Sequence, residues 1–184
     1  KSLKIIYKTE HSKVISLLKK ISFEENKKFS NLCSEALKVL KKNKKIIFFG
    51  NGGSAADAQH LATELTVRFK KNRIALPAIS LSTDTSAITA IGNDFGFKYI
   101  FSRNLESLGD AGDLLLVLST SGNSKNIINV LKKAKSKKIT TMGWLGCRGG
   151  LAKKFCDYNL IIKSSSKARI QEEHKFLGHY IFDI

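Results

Sequence analysis

The sequence contains little of what marks secreted, membrane-spanning or multidomain proteins. It has one proline, Pro77, and no linker rich in proline, glycine or serine divides its 184 residues. Its longest apolar runs, such as Leu114 to Leu118, fall far short of the roughly 20 residues that span a membrane. No continuous apolar segment with a cleavage site follows Lys1, so a secretory signal is not predicted. We expect one domain with no membrane segment.

Cysteine is scarce and follows no pattern. The three cysteines are odd in number and include no Cys-x-x-Cys pair; they are Cys33, Cys147 and Cys156. This argues against a disulfide framework, and a domain of this length buries enough apolar surface to fold without one. We therefore expect reduced thiols and a cytoplasmic protein.

Acidic residues are also few. The 15 Asp and Glu residues against 32 Lys and Arg residues give a net charge of +17. Such an excess is one mark of a nucleic-acid-binding protein. However, the lysines cluster near predicted helix C-termini, where they suit the helix dipole, and no aromatic residues alternate with them. We favour a solvated basic surface, which also attracts an anionic small substrate, over a nucleic-acid site. The clusters are Lys41, Lys42, Lys44 and Lys45, and Lys132, Lys133, Lys135, Lys137 and Lys138.

Short apolar runs alternate with helical patterns along the chain. Apolar runs bounded by Gly, Ser, Thr or Asn are typical of strands buried on both faces of a parallel sheet. The predicted strands are Ile46 to Phe49, Ala78 to Leu81, Leu114 to Leu118, Ile139 to Met142 and Asn159 to Ile162. The predicted helices are His11 to Ile21, Glu24 to Leu40, Ala55 to Phe69, Lys98 to Leu108, Lys125 to Lys135, Leu151 to Phe155 and Arg169 to Ile184.

This alternation predicts an α/β fold of three layers, with a doubly wound sheet of about five parallel strands between the helices. We expect a single domain over 1–184. Its two N-terminal helices (1–43) precede the α/β core (44–184) and are candidates for subunit contacts. Ligands of such sheets bind at the carboxyl ends of the strands, near a topological switch point. That rule directs attention to the loops after Phe49 and Leu118.

The loop after the third predicted strand is rich in hydroxyl groups. Ser119, Thr120, Ser121 and Ser124 lie within six residues, and the loop opens a helix. Hydroxyls, backbone N–H groups and the positive end of the helix dipole together favour an anion. An ordinary N-cap would explain Ser124 alone. Four hydroxyls favour a phosphate site, in which Gly122 lets the backbone approach the ligand.

The loop after the first predicted strand, Gly50-Asn51-Gly52-Gly53-Ser54, nearly satisfies a dinucleotide-binding pattern. A carboxylate that binds ribose should then end the second strand, but Asp84 lies too far along. No Gly-Lys-Ser or Gly-Lys-Thr follows, so a nucleoside triphosphate loop is not predicted either. We interpret this loop as a second wall of a substrate pocket.

Two pairs of side chains have the spacing of a metal or proton-transfer site. His60 and Glu64 are four residues apart and share one face of a predicted helix. Gln171 and His179 are eight apart and also face one side. Two imidazoles, a carboxylate and an amide oxygen together suit zinc. The spacing does not show that the two helices meet. Each residue taken singly is explained by an ordinary surface contact. His174 is an equally available imidazole.

Four blocks of this chain resemble those of the phosphoheptose isomerases, members of the sugar isomerase (SIS) domain family. They occur in order between about Ile46 and the end of the chain. The blocks are Asn51 to His60 with Glu64 to Phe69, Gly92 to Phe97 with Ile100 to Arg103, Ser119 to Ser124, and Arg169 to His174 with His179.

The resemblance implies a flavodoxin-like SIS fold and isomerisation of sedoheptulose 7-phosphate to D-glycero-D-manno-heptose 7-phosphate through an enediol. This is the first step of nucleotide-activated heptose synthesis for lipopolysaccharide or capsule. It also implies a homotetramer with pockets between subunits, and a base, Glu64, working with His179. The implied ligands of one Zn²⁺ per subunit are His60, Glu64, Gln171 and His179. The implied substrate-binding residues are Asn51, Gly52, Gly53, Ser54, Arg68, Asn93, Asp94, Ser119, Thr120, Ser121, Ser124 and Gln171.

Two other functions are compatible with this fold. One is a non-enzymatic adaptor that binds the bacterial replication initiator. That relative keeps the early helix motif but lacks the second C-terminal histidine, which is present here as His179. The other is an isomerase of a pentose or hexose phosphate, whose pentose members often carry regulatory domains that this chain has no room for. We therefore expect the heptose phosphate enzyme.

Overall fold

Five parallel strands form one sheet at the centre of the molecule. The computed structural model describes residues 2–21 and 26–181, apart from the side chains of residues 20–21 and 26–28. The strands lie in the order β2-β1-β3-β4-β5, the flavodoxin-like order, and the chain reverses its winding between β1 and β3. The bounds are β1 Ile46–Gly50, β2 Ala78–Ser80, β3 Leu114–Ser119, β4 Thr140–Gly146 and β5 Tyr158–Ile162.

Helices cover both faces of this sheet. Residues of α2, α3 and α7 share a core with one face, and residues of α5 and α6 share a core with the other. The bounds are α1 Leu3–Ile21, α2 Asn26–Lys41, α3 Gly53–Thr66, α4 Thr85–Asp94, α5 Ile100–Leu108, α6 Lys125–Ser136 and α7 Lys167–Ile181. Short 3-10 turns occupy Phe97–Tyr99 and Ala152–Lys154. Among the described residues, no helix is both long and apolar enough to cross a membrane.

The strands β1 to β4 contribute side chains to both cores. Phe48 packs with α2, α3 and α7, whereas its neighbour Phe49 packs on the other side against Phe101 of α5, with ring centroids 5.1 Å apart. Successive side chains of a strand point to opposite faces, so both must be apolar when helices cover both. This explains why the strands are continuous apolar runs in the sequence.

The predicted α/β architecture of about five parallel strands is confirmed, with differences at several element ends. β4 extends to Gly146, four residues beyond its prediction, because Gly143 and Gly146 interrupt the apolar run. α1 begins at Leu3, eight residues before the predicted start, since its first apolar residues point to several faces. The first residues of the predicted Glu24 helix, and the last three of the predicted C-terminal helix, lie outside the described residues.

One helix, α4, was absent from the prediction. None of its residues is buried. Ile88 and Ile91 are only half-buried against the second core. A helix that rests on the surface leaves a weak hydrophobic period, which is the signal used to predict helices. Asp84 accepts a hydrogen bond from the Ala87 N–H at 2.9 Å and so caps α4.

All three cysteines are free thiols, as predicted. Burial raises the pKa of Cys33 to about 11 and that of Cys156 to about 12. Both side chains therefore stay protonated near neutral pH, and they act as small apolar groups of the core.

A histidine lies inside the core beneath α7. His174 is fully buried, and its ring centroid lies 6.4 Å from that of Trp144 on β4. Neither of its ring nitrogens has a hydrogen-bond partner among the described residues, and the same holds for the indole N–H of Trp144. Burial lowers the pKa of His174 from 6.5 to about 3, so the imidazole is neutral in the folded protein.

Because an unfolded chain binds a proton at His174 more readily than the folded protein does, acid should destabilise the fold through this residue. The stability that it contributes is complete above about pH 6.5 and is lost as the pH falls towards 3. We expect His174→Leu to remove this dependence. Between pH 8 and pH 5, the unfolding free energy of wild type should fall by about 2 kcal/mol more than that of the variant, measured by urea unfolding.

The matched control is His11→Gln, since His11 is exposed on α1. It should leave the pH dependence unchanged. An identical pH dependence in wild type and His174→Leu would contradict this account of the buried imidazole.

Candidate functional site

The site is built on two parallel helices, α3 and α7, which pack side by side on one face of the sheet. Gln171 lies against Gly53, Lys175 faces Asp57, and His179 meets His60, so the contacts advance in the same direction along both helices. Gly178 permits this close packing: a Cβ there would overlap the buried Leu61 side chain. The sequence therefore places two short polar stretches face to face.

Two imidazoles and a carboxylate meet at the end of this contact. His60 Nε2 lies 2.8 Å from His179 Nε2 and 3.4 Å from Glu64 Oε1. Donor atoms of His60, Glu64 and His179 all lie within 4.8 Å of one another. The side chains are half-buried, so a substrate or ion has access to them. The structure thus brings together three of the four residues proposed as zinc ligands.

This donor set fits a zinc ion. Zinc binds imidazole nitrogen and carboxylate oxygen at about 2.0–2.2 Å, which places neighbouring ligand atoms roughly 3.4 Å apart in a tetrahedron. The His60–Glu64 separation of 3.4 Å matches this spacing, and the 2.8 Å between the imidazoles requires a small opening. Three protein ligands would leave a fourth position for an oxygen of the substrate.

Gln171, the fourth proposed ligand, lies near the other end of the helix pair. Its amide packs against Gly53, where any side chain would overlap it. Gly53 precedes His60 by seven residues, and seven residues of α-helix extend about 10 Å. Within one chain, Gln171 is therefore placed beside the loop after β1 rather than beside the two imidazoles.

Two residues that the sequence analysis missed support the cluster. Phe69 stacks on the His179 ring, with centroids 5.3 Å apart and an interplanar angle of 11°. Arg73 donates hydrogen bonds to the backbone oxygens of Glu64, at 2.7 Å, and Leu65, at 2.9 Å. It thereby caps the end of α3 that carries Glu64. An arginine soon after a predicted helix end was the available signal.

The hydroxyl-rich loop lies between β3 and α6, as predicted. Ser119 Oγ accepts a hydrogen bond from Gly122 N–H at 3.0 Å, and Ser121 Oγ accepts one from Asn123 N–H at 3.3 Å. Ser124 occupies the N-cap position of α6, but its side chain makes no capping hydrogen bond. Its hydroxyl is therefore available, and the first N–H groups of α6 point towards the same loop.

Gly122 fixes the shape of this loop. It has a φ of 66°, and a Cβ there would overlap the backbone oxygen of Gly149. Its own oxygen accepts a hydrogen bond from Ala152 N–H at 2.9 Å. The segment after β4 thus supports the loop from behind, while the hydroxyls of Thr120 and Ser121 remain at least partly accessible.

The loops after β1 and β3 are joined by a pair of amides. Asn51 and Asn126 donate to each other's side-chain oxygens, at 3.0 Å and 2.8 Å. Asn126 is buried at the start of α6 and was missed by the sequence analysis, because nothing in its local sequence distinguishes it. Gly52 has a φ of 56° and precedes α3, and Ser54 is buried in its first turn. The two loops therefore form one rigid wall at the switch point.

Arg68, Asn93 and Asp94 lie outside this wall. Arg68 is exposed beyond the end of α3, and Asn93 and Asp94 are exposed at the end of α4, where Asn93 Nδ2 donates to Asp94 Oδ1 at 2.9 Å. Among the described residues, no hydrogen bond connects these three side chains to the hydroxyl-rich loop or to the imidazoles. Their proposed contacts with the sugar stay predictions.

The lysine clusters lie at the ends of helices, and several have carboxylate partners. Lys45 contacts Asp110 and Asp113 at 2.7 Å each, and Lys133 contacts Glu106 at 3.0 Å. These two lysines are thus paired within the chain, and the interpretation of the remaining lysines as a solvated basic surface stays a prediction.

A substitution at Gly178 tests directly whether the contact between α3 and α7 assembles the site. Gly178→Ala should push α7 away from Leu61, because the added Cβ has no space. We expect a loss of about 1–3 kcal/mol of unfolding free energy and at least a tenfold weaker binding of zinc, measured on the metal-free protein by competition with a chromophoric chelator.

Gly92→Ala is the matched control, since Gly92 is also helical and its Cβ would meet only Ile100 Cγ2, at 3.9 Å. Zinc binding by this variant should equal that of wild type. The account of the helix contact fails if both alanine variants bind zinc equally well.

Comparison with known proteins identifies the family. The family model of the SIS domain matches residues 11–146. The phosphoheptose isomerase of Campylobacter concisus is 54% identical over 149 residues, which cover 81% of this chain and 79% of that protein. The structure of a phosphoheptose isomerase from Neisseria gonorrhoeae superposes with a TM-score of 0.92 at 36% identity, covering 99% of this chain and 97% of that chain. One from Francisella tularensis gives 0.96 at 29% identity, covering 100% and 97%. The chain belongs to the SIS domain family, among the phosphoheptose isomerases.

Proposed function

We propose that this chain is an aldose–ketose isomerase that converts sedoheptulose 7-phosphate to D-glycero-D-manno-heptose 7-phosphate. The reaction would start the synthesis of nucleotide-activated heptose for lipopolysaccharide or capsule, in the cytoplasm. The observation that carries this proposal is the meeting of His60, Glu64 and His179 on the helix that follows β1 and the C-terminal helix. This arrangement supplies a carboxylate base and an imidazole on a helix that begins beside the candidate anion-binding loop, which is what the reaction needs.

The phosphate of the substrate is assigned to the loop between β3 and α6. Ser119, Thr120, Ser121 and Ser124 supply hydroxyls, and the N-terminus of α6 supplies N–H groups and the positive end of its dipole. The basic surface attracts the anion towards the site. Asn51, the Gly52–Ser54 segment and Gln171 lie along the α3 side of the same edge, where they would contact the sugar, together with Arg68, Asn93 and Asp94.

The chemical step moves one proton between neighbouring carbons. Glu64 removes a proton from C1 of the ketose and returns it to C2, while His179 moves a proton between the two oxygens, so an enediol forms and then collapses to the aldose. Atoms and charge balance without a co-substrate. The Phe69 ring and the α3 cap made by Arg73 hold His179 and Glu64 in place for these transfers.

One zinc ion is assigned to His60, Glu64 and His179. Gln171, which lies over Gly53 at the other end of the helix pair, is assigned to the sugar rather than to this ion. When bound, it would act as a Lewis acid that polarises the oxygens of the substrate. A carboxylate held tightly by a metal is a weaker base. Two roles for the metal are therefore open: Glu64 would leave it during turnover, or the metal would be partly structural.

We also propose a homotetramer whose pockets lie between subunits and whose N-terminal helices (1–43) form subunit contacts. Exposed apolar side chains on α1 and α7 support this assignment, since large exposed apolar surfaces mark sites of association. They include Leu3, Ile5, Tyr7 and Ile15 of α1 and Phe176 and Tyr180 of α7.

The proposed activity is tested with purified protein and sedoheptulose 7-phosphate, with the aldose product followed by NMR. We expect product formation that stops on addition of a chelator and resumes with Zn²⁺. Activity that persists after chelation would retain the isomerase and remove the metal from its mechanism. No product from folded, zinc-loaded protein would contradict the proposed substrate.

The role of the carboxylate is tested by Glu64→Gln. Loss of a general base costs about 10²–10⁴ in rate, so kcat should fall at least 100-fold while the unfolding free energy stays near that of wild type. His179→Gln should behave in the same way. Glu35→Gln is the control, because Glu35 lies in α2 and pairs with Lys38 at 2.6 Å, away from the site. Near-wild-type turnover in Glu64→Gln would exclude its assignment as the base.

A further inference from the structure

A buried carboxylate lies one helical turn before the imidazoles of the site. Asp57 is in the second turn of α3, three residues before His60, and its side chain is 8% exposed. Side chains three residues apart are neighbours on a helix surface. Carboxylates are rarely buried to this extent unless charged or hydrogen-bonding partners compensate for the lost hydration. The partners of Asp57 therefore indicate what this residue does.

The observed partner satisfies one oxygen only. Asp57 Oδ1 lies 3.7 Å from Lys175 Nζ, a long contact to a half-exposed lysine. Asp57 Oδ2 is buried and has no hydrogen-bond partner among the described residues. An ion pair between the helices thus leaves the second oxygen unexplained. Burial raises the pKa of Asp57, and the positive charges of Lys175 and His60 partly oppose that rise. His60 is therefore close enough to Asp57 to influence its charge.

The orientation of His60 leaves one ring nitrogen for this oxygen. Nε2 of His60 faces His179 and Glu64, at 2.8 Å and 3.4 Å, so Nε2 is the nitrogen that would bind a metal. Nδ1 must then carry the proton of the neutral ring. Histidines that bind metals usually donate this second N–H to a carboxylate, which fixes the tautomer and makes the metal-binding nitrogen more basic.

We propose that Asp57 is a positioning residue: when His60 binds the metal through Nε2, the unpartnered oxygen Oδ2 accepts a hydrogen bond from His60 Nδ1–H and makes Nε2 a better ligand. Lys175 pairs only loosely with the other oxygen, at 3.7 Å, so it is not needed to orient the carboxylate. The inference rests on the proposed metal site, and it gives Asp57 a function distinct from that of a link between α3 and α7.

The two roles make opposite predictions for the two partners. If Asp57 acts through His60, Asp57→Asn weakens zinc binding because the negative charge is lost, whereas Lys175→Met leaves zinc binding unchanged or stronger because the carboxylate is retained. If the pair only joins the helices, both variants weaken zinc binding to the same extent.

The experiment measures zinc affinity of the metal-free, full-length variants by competition with a chromophoric chelator, without substrate. Asp57→Asn should bind zinc about 10- to 100-fold more weakly than wild type, the usual effect of losing such a carboxylate. The control is Glu106→Gln, since Glu106 also pairs with a lysine, Lys133 at 3.0 Å, but on the opposite face of the sheet. Its affinity should match that of wild type.

Activity supplies a second readout. With saturating zinc, Asp57→Asn should regain most of the wild-type kcat, with KM for the sugar phosphate little changed, because the substituted residue does not touch substrate. Urea unfolding of the metal-free variants checks that each one folds.

Three results would overturn the proposal. They are zinc affinity of Asp57→Asn within twofold of wild type, an equal loss in Lys175→Met, or no zinc binding by wild type. The third result would also remove the proposed metal, whereas the first two leave the metal and the isomerase reaction intact.

Discussion

The contact between α3 and α7 is the constraint on which the site depends. The two helices are separated by about 100 residues of sequence, yet both supply the His60–Glu64–His179 cluster, α3 with two residues and α7 with one. Their parallel packing requires Gly178 against the buried Leu61, where a side chain would not fit, and the Gln171 amide lies over Gly53. Helices pack this closely only where small residues permit it. The core of one sheet face and the reactive groups therefore share the same interface.

The sheet determines where the substrate enters. β1 and β3 are neighbours at the point where the chain reverses its winding, so the loops that follow them lie side by side. The Asn51–Asn126 amide pair joins these loops, and Gly122 presses the hydroxyl-rich loop against the segment after β4. A phosphate bound there would extend its sugar along the start of α3 towards the imidazoles. The groups proposed for binding and for chemistry thus lie on adjacent elements of one domain.

Much of this arrangement follows from local sequence signals, and the remainder depends on tertiary contacts. The five strands are predictable because burial on both faces makes them continuous apolar runs. The hydroxyl-rich loop is predictable because four hydroxyls before a helix exceed what capping needs. α4 is not predictable, since none of its residues is buried and the hydrophobic periodicity of its sequence is weak. Asn126 and Asp57 are equally hidden, because their roles arise only when distant elements meet. The His60–His179 pair required either the structure or the family resemblance.

The most direct test is anomalous diffraction from crystals of the zinc-loaded protein, recorded on both sides of the zinc absorption edge. We predict one anomalous peak in each subunit, at about 2.0–2.2 Å from the Nε2 atoms of His60 and His179 and from a Glu64 carboxylate oxygen. A zinc peak bound by none of these three residues, or no peak in fully loaded crystals, would contradict the claim that α3 and α7 assemble a metal site.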